Sequence, residues 1–174
     1  MNGKRRMTAS SVFVSCLIAF FALPQSVLSA DDHDHHNHHG HEMEVGISAA
    51  YIHLDAENES ASGLHLHLMR RLKGGEFLQH FAVGLGLEGV FADHKHYSAM
   101  GSIGVFPWRN LVVTLSPGVA FADHEGEWET NYITHIEASY GFMVGEYEVG
   151  PVMGYAKSAE DRHYSVGIHL GKGF

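Results

Sequence analysis

Cysteine is nearly missing from this 174-residue chain, with Cys16 its single example, so no disulfide can form within one copy. Basic residues are also few: 11 Lys and Arg stand against 20 Asp and Glu, a net charge of -9. That balance excludes nucleic acid as a natural partner. Proline is limited to four residues, two of which, Pro117 and Pro151, interrupt otherwise alternating segments and predict bulges there. Long apolar runs are lacking beyond residue 23, so a membrane-spanning helix of roughly 20 residues is ruled out in the remainder. A membrane location must come from strands or not at all.

The first 30 residues form a separate unit. Lys4, Arg5 and Arg6 make a basic start, residues 12–23 an apolar stretch of about 12 residues, and Ser29 and Ala30 a small-residue exit. This pattern predicts a secretory signal peptide over 1–30, cut after Ser29 or Ala30. Its removal takes Cys16, three basic residues and no acid, so the charge moves from -9 to -12. Residues 31–42, DDHDHHNHHGHE, contain no apolar residue and cannot bury anything. A disordered, periplasmic tail is expected here. Its histidines, His33, His35, His36, His38, His39 and His41, are candidate ligands for zinc, nickel or copper, because neutral imidazole is a good donor to all three.

From residue 43 to 174 the chain is expected to be one domain. A mean hydropathy of -0.09 would suit a soluble protein, but a barrel reads the same way because only alternate residues meet lipid. The stretch 163–174, HYSVGIHLGKGF, shows the alternation well. Tyr164, Val166, Ile168, Leu170 and Phe174 take one face; His163, Ser165, Gly167, His169, Gly171 and Gly173 take the other. Eight such segments are predicted, at 44–54, 64–72, 77–91, 96–108, 111–121, 131–144, 147–157 and 163–174. Tight turns separate them on one side, and longer polar links, including 55–62 and 122–130, separate them on the other. The fold class is therefore all-β: an eight-stranded antiparallel up-and-down transmembrane β-barrel, since an unpaired edge cannot stand in hydrocarbon.

This architecture resembles the small eight-stranded outer-membrane barrels of the OmpA, OmpX and OmpW type, with Phe174 where such barrels end in an aromatic. The resemblance implies the outer membrane of a Gram-negative bacterium, contact with its lipid, a monomer, and both termini in the periplasm. The longer loops would then face outside.

Face assignment separates two sets of residues. Leu64, Leu66, Leu68, Phe81, Val83, Leu85, Leu87, Leu111, Leu115, Ile136 and Met153 are expected on the outer wall. His65, His67, Glu88, His96, His135, Glu137, His163 and His169 are expected inside, toward the extracellular end. The interior of so small a barrel is filled by side chains, and buried charges there must pair or hold an ion. Three or four imidazole and carboxylate ligands suffice for zinc. A divalent transition metal, zinc first, is the expected ligand, with a role in acquisition or homeostasis and no enzymatic activity. A salt-bridge network filling a structural or adhesive barrel would need no ion. A lipid A-modifying hydrolase is the other alternative, since His163-Tyr164-Ser165 resembles the His-x-Ser pattern of the lipid A deacylase. That enzyme works at its outer wall, whereas His163 and Ser165 here have inward parity.

Overall fold

Strict alternation decides the architecture, because each strand of period two has one wall for lipid and one for the lumen. In the computed structural model, which describes residues 42–55, 58–92, 95–108, 110–124, 127–159 and 161–174, this produces nine assigned strands. They are β1 (Met43–Leu54), β2 (Glu59–Arg71), β3 (Phe81–Phe91), β4 (Lys95–Trp108), β5 (Leu111–His124), β6 (Glu127–Tyr140), β7 (Phe142–Val144), β8 (Tyr147–Ser158) and β9 (Arg162–Gly173). One short helix, α1 (Gly75–Leu78), lies between β2 and β3. The signal-peptide and tail predictions fall on residues 1–41 and lie outside the described residues, apart from Glu42.

All neighbours pair antiparallel, and β6 pairs β8 to close the sheet on itself. The ring has eight members, because β7 continues β6. The register that sets Ser139 against Val152 also sets Phe142 against Val149. The interruption is local. A Cβ at Gly150 would lie 1.8 Å from the Tyr140 carbonyl oxygen, so the two backbones approach here as only glycine permits. The opposite seam joins β1 to β9 and is sealed by reciprocal bonds between Met43 and Phe174, N–H to O at 3.0 and 2.9 Å.

The outer wall carries Leu64, Leu66, Leu68, Val83, Leu85, Leu87, Leu115, Ile136, Val166, Ile168 and Leu170, each 38% exposed or more. A surface this apolar suits hydrocarbon, and the closed ring leaves no ladder unpaired within it. Leu111 and Met153, assigned to this wall by parity, are instead buried. Leu111 sits beside the register shift between Val105 and Trp108, which breaks the simple count. Met153 is flanked by Ala138 and Val166, and an unbranched thioether can lie flat beside so small a neighbour as alanine.

Two further expectations are corrected. The register shift falls between Val105 and Trp108, a stretch that holds Pro107, whereas Pro117 and Pro151 keep the register of their strands. The long polar links are mostly strand: Leu54 pairs Glu59, and His124 pairs Glu127. Polar side chains cost a strand nothing once it has left the apolar band, so polarity alone gave a false loop signal. The loop end of the barrel is the one at which β1 leads to β2, β3 to β4, β5 to β6 and β8 to β9. The opposite, terminal end carries Met43, Phe174, α1 and two tight turns, one with Gly145 at φ 65°. There Glu42 accepts hydrogen bonds from Lys73 and Arg70, which hold its carboxyl below the usual range.

Candidate metal centre

Inward parity places most of the strand histidines and acids in the lumen. His65, Glu88, His135, Glu137, His163 and His169 are all buried, with His135 and His169 at 2% exposure. Missing side chains opposite them make room. A Cβ at Gly154 would lie 2.7 Å from His135 Nε2, one at Gly86 2.9 Å from His65 Nε2, one at Gly46 2.4 Å from His67 Nε2, and one at Gly171 2.9 Å from His169 Nε2. The inward glycines thus occupy the heights at which imidazoles need the cross-section.

Two groups of three ligands emerge. The first is His65 from β2 with His135 and Glu137 from β6, all buried, with one donor atom from each lying within 4.8 Å of the others. His65 Nδ1 is 3.1 Å from Glu137 Oε2, and the His65 and His135 rings are 5.5 Å apart. The second is Glu44 from β1, His67 from β2 and His169 from β9. Glu44 Oε1 lies 3.5 Å from His67 Nε2 and 3.8 Å from His169 Nε2. Ligands about 2.1 Å from a tetrahedral zinc stand roughly 3.4 Å from one another; the two Glu44 distances are near that value, while the His67 and His169 rings stack at 13°, so one ring must turn to aim its lone pair at a shared ion. Ser48 Oγ, 3.1 Å from His169 Nδ1, orients that ring with Nε2 toward Glu44.

The first group carries an unmet hydrogen-bonding demand. Neither ring nitrogen of His135 has a hydrogen-bond partner, nor does His65 Nε2. Buried polar atoms are normally satisfied, and each exception needs a cause. A metal ion accepting their lone pairs is one such cause.

Glu88 and His163 join neither group. They face each other at 3.8 Å, with the His163 ring 6.3 Å from that of His135. Both line a cavity of about 50 Å³ toward the loop end, whose wall is mixed, with His96, Ser98 and Asn131 beside Leu54, Val90 and Ile133. His96 therefore stands at the mouth, away from both triads. Glu44 was missed by the sequence reading, although Glu44, Gly46 and Ser48 alternate with Val45, Ile47 and Ala49 and so carried the signal. The cluster is also taller than expected. It runs from the loop-end cavity down to Glu44, one residue from the terminal seam, because inward positions on successive tilted strands are staggered in height. The tail histidines His33, His35, His36, His38, His39 and His41 lie outside the described residues. Ser165 is buried at 7% exposure on the luminal side of β9, as is His163.

A closed ring of eight antiparallel strands, apolar outside and filled by both polar and apolar side chains within, defines the class of small transmembrane β-barrels. Solved structures of that class are similar to it in fold. Neisserial surface protein A (NspA) superposes with a TM-score of 0.58 at 15% identity, over 76% of this chain and 97% of that one. Ail, the attachment invasion locus protein of Yersinia pestis, gives 0.52 at 14% identity, over 77% and 99%. A de novo designed transmembrane β-barrel gives 0.51 at 8% identity, over 74% and 94%. No protein-family description matches the chain, and no curated protein matches it.

Proposed function

We propose that the protein is an outer-membrane barrel of a Gram-negative bacterium that binds a divalent transition metal, zinc first, inside its lumen, with a role in metal acquisition or homeostasis. The observation that carries this reading is His135: fully buried, beside His65 and Glu137, with both ring nitrogens lacking a hydrogen-bond partner. Neutral imidazole with a carboxylate is a donor set that zinc favours. Glu44, His67 and His169 supply a second such set, and the histidines of residues 33–41 a looser, periplasmic one. A catalytic role is disfavoured by the burial of His163 and Ser165 in the lumen, since a lipid substrate would lie against the opposite wall.

Calorimetric titration of zinc into the refolded full-length mature barrel tests the reading. The six tail histidines are replaced together by glutamine, so that only luminal ligands remain. Saturable binding at neutral pH that weakens by about tenfold or more in His135→Ala or Glu137→Ala is the expected result. Absence of saturable binding would leave the luminal groups as a structural network.

A further inference from the structure

The two triads and the Glu88–His163 pair are not isolated from one another. Ring centroids follow in sequence from His163 to His135 at 6.3 Å, His135 to His65 at 5.5 Å, His65 to His67 at 5.8 Å, and His67 to His169 at 5.1 Å. One end of this file borders a cavity and the other a partly exposed carboxylate. At the loop end, the cavity of about 50 Å³ reaches Glu88 and His163. At the terminal end, the Glu44 side chain is 24% exposed. Met69, Ala82 and Phe106 fill the lumen on the β2–β4 side there, and Glu44 and His169 stand on the β1–β9 side.

We propose that the lumen is a path as well as a site: a divalent transition metal ion crosses the barrel by passing between three successive ligand groups, Glu88–His163, His65–His135–Glu137 and Glu44–His67–His169. This rests on the metal-binding reading above and adds to it. A storage site needs one complete shell and a single mouth. Passage needs several incomplete shells in file, each attractive enough to enter and weak enough to leave. The geometry matches the second description, with no more than three ligands in any group and no ring-to-ring step above 6.3 Å. The spaces beside Gly86, Gly154, Gly46 and Gly171 are filled by His65, His135, His67 and His169 themselves, so the file is lined by its ligands and an ion would move from ring to ring.

The full mature chain, reconstituted into phosphatidylcholine–phosphatidylglycerol vesicles that enclose a zinc-sensing dye, decides the matter when zinc is added outside. The expected result is saturable zinc uptake at least about tenfold faster than in protein-free vesicles. Glu44→Gln should abolish that uptake, while calorimetry still finds the His65–His135–Glu137 site occupied. Gly154→Ala, whose new methyl would meet His135 Nε2 at 2.7 Å and Ser165 Oγ at 2.5 Å, should slow uptake with every ligand retained. Zinc binding without uptake in the wild type would overturn the path and leave the metal site standing. Uptake in Glu44→Gln as fast as in the wild type would overturn the path too. Absence of both binding and uptake would overturn the metal site with it.

Discussion

Replacing His135 by leucine should strengthen the metal-free barrel and weaken its response to zinc. The imidazole is 2% exposed, and neither of its nitrogens has a hydrogen-bond partner. Leaving a buried polar group unmet costs about 1–3 kcal/mol, while an apolar side chain of similar size carries no such cost. With metal removed by chelator, His135→Leu is therefore expected to match or exceed the wild type in unfolding free energy. An ion bound only by the folded state at 100 times its dissociation constant adds about 2.7 kcal/mol. The wild type should gain on that scale from each occupied triad, whereas the variant gains only from Glu44, His67 and His169. Zinc should thus raise the wild type relative to the variant by about 2.7 kcal/mol. Urea unfolding in lipid vesicles, read by tryptophan fluorescence in chelator and in zinc, gives both numbers; the tail histidines are replaced in both proteins. A loss of more than about 3 kcal/mol in chelator, with equal zinc increments, would make His135 a structural residue and not a metal ligand.

Three further outcomes follow from the same geometry. Each triad uses two imidazoles whose metal-binding lone pairs compete with protons, so zinc affinity should fall on acidification; titrations at pH 7.5 and 5.5 check this, and equal affinities would count against histidine ligation. Leu85→Arg puts a charge on the outer wall at the middle of β3, where the leucine is 68% exposed, and should cost about 2–4 kcal/mol in lipid. Equilibrium unfolding in vesicles measures it, and a cost near zero would place that wall outside hydrocarbon. Gly145→Ala forces a side chain into the left-handed region at φ 65° with no atom near enough to clash, so a loss of about 1–2 kcal/mol is expected from backbone strain alone. Gly101→Ala, equally uncrowded but without positive φ, is the control and should change stability by less than about 0.5 kcal/mol.

The strands and their faces were legible because the signal has period two and repeats along each segment. Leu64, Leu66 and Leu68 against His65 and His67 leave no other arrangement of β2. Strand ends were less legible. Glu59 to Ser62 and Glu127 to Thr130 are polar and read as loop, yet they pair in full because ladder bonding is indifferent to side-chain polarity. The inward set was legible as a set, but its partners were not. His65 meets Glu137 across the ring, 72 residues away, and that encounter depends on how far each strand slides past the next, which no local pattern encodes. Glu44 was lost for a related reason: a single acid near the start of a strand reads as the polar end of an element until its neighbours on β2 and β9 are known.

The seam between β1 and β9 has a consequence for assembly. Glu44 stands on one side of it and His169 on the other, so this ligand set does not exist in any sheet that has yet to close. An ion held there would fasten the first and last strands together and lower the chance of that junction parting. Its capture would mark the moment at which an open ribbon becomes a sealed cylinder.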